Sequence, residues 1–353
     1  LNKDQVEAWA IFGVYSNFAW LPDNKHIIIW AQGKIQNIDV ASGKATEIPF
    51  SADCNHHVYD ALRYRQEVAP DKFTVKMIRQ TVTSPDERWL VFNAAGYLWV
   101  KPLPDGKPYR LTPSTDFEFE PAFSADGLWI TYVSWNDENT GAVMKIEWAK
   151  KGGKPVKVTS EKGIYRTPRF SPDGKTIVFE KESGNDHQGF SFSVKPGIYT
   201  IPAAGGAMTF HFENGSKPEF SADAKKIFYF NYSATKELKA YDLEKRTHTL
   251  LCTGKYSSEL VLSPDNKWIA FTELYKAYVA AFPMSGHALD LSGKMGDMPV
   301  SQIARDAGQS LHWSSDSKKI HWTYGEQYFT NELNKRFKFL PGSPDSLPPM
   351  DTT

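Results

Sequence analysis

A short turn motif recurs seven times along this chain, and a chain that repeats one supersecondary unit must bury each copy against its neighbours. The motif cores are Trp20-Leu21-Pro22-Asp23-Asn24, Ser84-Pro85-Asp86-Glu87, Phe123-Ser124-Ala125-Asp126-Gly127 and Phe170-Ser171-Pro172-Asp173-Gly174. They continue with Phe220-Ser221-Ala222-Asp223-Ala224, Leu262-Ser263-Pro264-Asp265-Asn266 and Trp313-Ser314-Ser315-Asp316-Ser317. An apolar run follows each, such as Trp89-Leu90-Val91-Phe92 or Ile177-Val178-Phe179. Successive aspartates stand 63, 40, 47, 50, 42 and 51 residues apart. Most of these gaps match the roughly 40–50 residues of one four-stranded propeller blade.

The motif has the chemistry of a tight turn between two strands. Ser and Asp side chains accept hydrogen bonds from nearby backbone N–H groups, Pro presets φ, and Gly or Asn tolerates positive φ at the turn's end. The aspartates Asp23, Asp86, Asp126, Asp173, Asp223, Asp265 and Asp316 are therefore read as structural turn residues, because a metal ligand would not recur in every repeat. A second hairpin follows each motif, over 34–50, 97–112, 142–159, 197–209, 238–251, 277–291 and 327–340, with turn signals such as Asp105-Gly106 and Gly205-Gly206. Two hairpins per repeat predict an all-β chain, a β-propeller of about seven four-stranded blades, whose ring leaves only short edges. The 14% of aromatic residues agrees with strands.

The expected propeller spans 1–340, with repeats near 17–50, 84–112, 121–159, 168–212, 218–251, 260–291 and 311–340 and an insertion at 51–80. Residues 341–353 hold four prolines and read as a linker to a further domain. The chain opens on Leu1-Asn2-Lys3 without a signal-peptide pattern, as a fragment or processed form would. Lys plus Arg and Asp plus Glu are both 41, so the balance gives no support for nucleic acid as a partner. No run of about 18 apolar residues is present to cross a membrane as a helix. The two cysteines, Cys54 and Cys252, rule out a disulfide scaffold.

The Phe-Ser-Pro-Asp-Gly-Lys-x-Ile-Val-Phe pattern around Phe170–Phe179 resembles the TolB-like propeller repeat, and it recurs along most of the chain. Gln5–Tyr15, Gly163–Pro168, Lys195–Tyr199 and Leu311–Asp316 further resemble large bacterial proteins in which such propellers precede a metal-dependent amidohydrolase domain. That resemblance implies hydrolysis of C–N bonds by a downstream domain, with a divalent metal such as zinc bound there, and a periplasmic or secreted location. This chain lacks the family's His-x-His pair, so no catalytic residue carries over and no cofactor is expected within it.

Loops that break the repeat are the expected binding positions, because the strands are committed to packing. Trp135, Asn136, Asp137 and Glu138 form an acidic insertion, and Asn185, Asp186 and His187 a mixed one. Each reads first as a solvated polar loop and only second as a binding site. Asp186 beside His187 could exchange protons, but no nucleophile stands at a recognised spacing and there is no Gly-x-Ser-x-Gly elbow. The cluster Asp53-Cys54-Asn55-His56-His57 has metal-binding residue types, yet adjacent histidines on a strand point to opposite faces. Tyr275 and Tyr278 read as inter-blade packing before they read as a contact surface.

The function expected is thus a non-catalytic propeller acting as scaffold, access filter or docking surface for its own downstream domain. A stand-alone module that binds a protein or peptide at the channel mouth is the alternative, and the gating propeller of a serine peptidase a third.

Overall fold

The computed structural model describes residues 17–59, 67–148, 153–185, 190, 191 and 194–348. The chain divides into two compact units, one of Leu1–Phe73 with Asn185–Phe190 and one of Thr74–Gly184 with Ser191–Thr353.

The first unit holds a four-stranded meander, β1 (Phe18–Trp20), β2 (His26–Ala31), β3 (Lys34–Asp39) and β4 (Ala45–Ile48). The second unit holds six main sheets in chain order. The second sheet is β5 (Arg79–Thr83), β6 (Trp89–Ala94), β7 (Tyr97–Pro102) and β8 (Tyr109–Arg110). The third is β9 (Phe117–Phe123), β10 (Trp129–Asn136), β11 (Thr140–Glu147) and β12 (Val156–Lys157). The fourth is β13 (Ile164–Phe170), β14 (Thr176–Glu182), β17 (Gly197–Pro202) and β18 (Thr209–Phe212), with the short pair β15 (Gly184–Asn185) and β16 (Phe190–Ser191) inserted. The fifth is β19 (Ser216–Phe220), β20 (Lys226–Tyr232), β21 (Lys236–Asp242) and β22 (His248–Gly254). The sixth is β23 (Leu260–Leu262), β24 (Trp268–Glu273), β25 (Lys276–Ala281) and β27 (Val300–Gln302), and β26 (Leu289–Asp290) lies between them in sequence. The seventh has three strands, β28 (Gln309–Trp313), β29 (Lys319–Tyr324) and β30 (Gln327–Glu332). The chain is all-β with seven motif-bearing sheets, and the one helical element named among the described residues is a 3-10 turn at Leu333–Lys335.

Strand alternation explains how the six sheets of the second unit pack. Along β6, Val91 joins a core with Ile130 and Tyr132 of the third sheet, while Leu90, Phe92 and Ala94 face Tyr328 of the seventh. Further cores join third to fourth, fourth to fifth, fifth to sixth and sixth to seventh. The sheets of this unit therefore close on themselves: Ile78 N–H donates to Gly325 O, Ser315 Oγ to Pro85 O, and Lys319 Nζ sits 2.8 Å from Glu87 Oε2.

The motif turns are built alike. In the fourth sheet Ser171 Oγ donates to Asp173 Oδ1 at 2.6 Å and accepts from Thr176 N–H at 3.0 Å, and Asp173 Oδ1 accepts from Lys175 N–H at 3.1 Å. The serine hydroxyl is thus the hinge of the turn, relaying the aspartate to the first residue of the next strand. The residue after Asp is left-handed in all seven copies, including Glu87, Ala224 and Ser317, so Gly is favoured there without being required. The first sheet has no serine at this place, and Asp23 takes the His26 imidazole instead.

Two hairpins differ from the pattern. After β25 the outer strand of the sixth sheet is β27, and Leu289–Asp290 instead pairs in parallel with β22 of the fifth sheet. Leu291 is buried between those two sheets, which draws the segment across. Among the described residues no fourth strand pairs with β30; the chain beyond it leaves the sheet, and Phe337 packs on Trp268 at 4.8 Å between ring centroids.

Ser171→Ala removes both the donor to Asp173 and the acceptor for Thr176 N–H, so it should lower unfolding free energy by about 1–2 kcal/mol in urea titrations. An unchanged urea midpoint would show that the hydroxyl relay adds nothing to the turn.

Candidate functional site

The inner strands β5, β9, β13, β19, β23 and β28 surround the axis of the second unit. Five of them carry one extra residue against their partner strand, between Arg79 and Val82, Phe119 and Ala122, Arg166 and Arg169, Ser216 and Glu219, and Gln309 and His312. Each bulge contains a left-handed residue that is not glycine: Gln80, Glu120, Thr167, Lys217 and Ser310, with φ of 45–55°. Such a residue costs about 1–2 kcal/mol, and bulges recur where a strand must re-aim its groups.

The freed N–H groups are taken by the neighbouring sheet. Glu120 N–H donates to Gln80 Oε1 at 2.9 Å, and Thr167 N–H to Glu120 Oε2 at 2.5 Å. The Glu180 carboxyl takes Lys217 N–H. Lys217 Nζ reaches Ser258 O at 3.2 Å, and Glu259 takes Ser310 N–H and Leu311 N–H at 2.9 and 2.8 Å. Thr83 Oγ1 closes the circuit onto His312 Nε2 at 2.7 Å and the Tyr328 hydroxyl at 2.8 Å.

These caps gather ionisable groups around the axis. Arg166 is held by Glu120 at 2.8 Å and Glu182 at 3.2 Å. Burial pushes the Glu180 carboxyl up to about 8, with Glu182 adding to the rise, and burial also raises Glu219 and Glu259. Arg169 is pulled below the usual arginine range by desolvation, and it senses Glu219 and Glu120. Its charge also reaches His312 from across the ring, where burial holds the imidazole near 3. His312 stacks on His321, whose imidazole burial lowers to about 4. The arrangement is a set of desolvated charges on fixed backbone; it can hold polar groups of a ligand, and among the described residues no group of three or more His, Cys, Asp or Glu could hold a metal.

Trp135 and Asn136 are not in a loop but end β10, paired with Gly141 and Thr140, so that Asp137 and Glu138 lie in a tight hairpin turn; Trp135 also pairs with Phe117 at the start of β9, which puts this hairpin at the same end as the bulges. Its polar groups bond to one another: Trp135 Nε1 to Asp137 Oδ1 at 2.9 Å, Asn139 N–H to Asn136 Oδ1 at 2.7 Å, and Asn136 Nδ2 to Asp116 Oδ1 at 3.1 Å. Glu138 contributes its carbonyl to Lys162 Nζ. Asn185 is seen as backbone in β15, while Asp186 and His187, like Gln5–Tyr15, lie outside the described residues. Cys54 is exposed and Cys252 buried, and both are free thiols. Tyr278 stacks on Phe271, whereas Tyr275 is exposed.

Sequence reasoning passes over the axial carboxylates. A signal for three of the bulges is there: Pro121, Pro168 and Pro218 each stand three residues before the motif serine, and each follows the left-handed residue. Proline in a strand marks a bulge or an edge.

No family model matches the chain. Tol-Pal system protein TolB from Francisella tularensis subsp. mediasiatica is 24% identical over 55% of this chain and 53% of its own length, so the chain spans about half the length of the curated relatives it matches. Among solved structures, a protein assigned as TolB from Agrobacterium tumefaciens superposes with a TM-score of 0.54 at 17% identity over 72% of this chain and 91% of its own. An oligogalacturonate lyase in complex with manganese gives 0.52 at 14% identity over 87% and 85%. In fold the chain is a TolB-like β-propeller.

Glu180 sets a pH dependence. A carboxyl that ionises near 8 when folded and near 4.5 when unfolded favours the fold fully below pH 4.5 and loses that advantage as pH rises through 8. Glu180→Gln should therefore gain stability relative to the parent between pH 5 and pH 8.5 in urea titrations. A difference between the two proteins that does not vary with pH would show that Glu180 is ionised throughout.

Proposed function

We propose that this propeller is a non-catalytic interaction module that engages a polypeptide at the bulge end of its axis. The observation that carries this reading is the charge gathered there on bulged, left-handed backbone, with Arg169 facing Glu219 and Glu120. Desolvated charges of this kind gain most from a partner that brings complementary groups on a fixed backbone. The curated relatives are named as proteins of the Tol-Pal system, which supports a role in protein interaction.

The finer reading follows the sequence resemblance: the module belongs to a protein resembling metal-dependent amidohydrolases, whose downstream domain would bind a divalent metal such as zinc. The propeller would serve that domain as scaffold, access filter or docking surface.

A photo-crosslinking amino acid in place of Gln309, at the bulge end, should capture a polypeptide in cells, and Arg169→Ala should reduce the adduct at least severalfold. The same probe at Asp173, in a motif turn, should not. Capture from Asp173 alone, or from neither position, overturns the reading. The purified chain with added zinc should release no product from amide and cyclic amide substrates above buffer, and sustained turnover would place catalysis in the propeller itself.

A further inference from the structure

The seventh sheet ends where every other sheet of its unit has one more strand. The second to sixth sheets have fourth strands in β8, β12, β18, β22 and β27, whereas the seventh stops at β30. Over its described residues the chain leaving β30 does not return: Leu333 N–H bonds Lys318 O, and Phe337 goes to Trp268. The segment entering β5 is fastened by Ile78 N–H to Gly325 O. Neither is free to pair with β30.

The backbone of β30 is set up for pairing. Tyr324 pairs with Gln327 across the two-residue loop Gly325-Glu326, so the hairpin's exchanged bonds alternate from that closing pair. Tyr328 and Thr330 then turn their N–H and C=O groups outward, and among the described residues no backbone partner lies there.

An independent feature lies beside this edge. A cavity of about 430 Å³ opens between the seventh and second sheets, lined by Phe92, Trp99, Leu103, Pro108 and Tyr328 with Lys101 at its rim. The other sheets show what belongs in such a place. Leu111, just after β8, packs into the core between second and third sheets. Val158, just after β12, fills the next core, Phe212 of β18 the one after, and Leu251 and Cys252 of β22 the fourth. In each case the outer strand sends an apolar side chain towards the following sheet. For the seventh sheet the following sheet is the second, and the corresponding space is this cavity.

We propose that the open edge of β30 takes an extended strand from another protein, with apolar side chains at alternate positions inserted into the cavity against Trp99 and Leu103. Residues opposite Tyr328 and Thr330 share their face of the sheet, so the apolar pair is spaced two apart. The site is at the outer edge and is separate from the axial charges.

The test uses the full chain and a synthetic peptide copying residues 207–213, Ala-Met-Thr-Phe-His-Phe-Glu, which includes the outer strand of the fourth sheet. With the peptide at millimolar concentration, amide exchange at Tyr328 and Thr330 should slow at least tenfold, and a version with Ser for both Phe should have no effect. Ala94→Leu, which narrows the cavity, should weaken the protection. Lys101→Trp, which plugs its mouth from the partly exposed rim, should do the same if the buried change disturbs folding. Three results overturn the proposal: no slowing at these amides, full protection in the free chain, meaning that it fills its own edge, or protection that rises with protein concentration alone, meaning that a second copy fills it.

Discussion

A left-handed residue in an inner strand, capped by a side chain of the adjacent sheet, is the interaction on which the ring of the second unit depends. Left alone, the residue costs about 1–2 kcal/mol. A bond to its freed N–H returns roughly 1.5–3 kcal/mol from a carboxylate such as Glu120, and about 0.5–1.5 kcal/mol from a neutral amide such as Gln80. The two nearly cancel, but only when the neighbour is present. Thr167 is comfortable because Glu120 is there, and Glu120 because Gln80 is. Sheets that would otherwise meet through non-directional apolar contact are therefore registered against each other at the axis.

The two ends of the strands consequently differ in kind. At the motif end each turn is bonded within a few residues, as Ser171, Asp173 and Thr176 answer one another. Neighbouring turns add bonds to this local set, as Ser315 Oγ does to Pro85 O and Asp265 N–H to Ser317 Oγ. At the bulge end the answers come from the neighbouring sheet, as Gln80 does for Glu120, and the Glu180 carboxyl is drawn out of water to give one. Electrostatic free energy is concentrated at one mouth of the ring, and the hairpin bearing Trp135 stands at that same end.

This contrast also explains what can be read from the sequence. The turn motif is local, so its seven copies give the all-β class and the number of sheets directly. The axial caps are not local. Nothing in the neighbourhood of Glu259 announces that its carboxylate will take the N–H groups of Ser310 and Leu311 in the next sheet. Only the prolines at 121, 168 and 218 betray the bulges from within. The two irregular hairpins are illegible for a similar reason: Ser285-Gly286 marks a turn, but where the chain goes afterwards is decided by the place that buries Leu291. The acidic stretch at Trp135–Glu138 is visible as an interruption, while its internal bonding is not.

The parallel pairing of β26 with β22 makes a pair of sheets unlike the rest. A stacked repeat frays sheet by sheet, since each touches only its neighbours. Here a strand that belongs by sequence to the sixth sheet is hydrogen-bonded into the fifth, with Cys252 beside Leu289 and Thr253 Oγ1 donating to Asp290. Peeling the sixth sheet away must tear the edge of the fifth, so the two form one cooperative opening unit. Strain entering the ring from either side is halted at this staple, and the least protected place left in the closed ring is the thin seam two interfaces further on, between its seventh and second sheets.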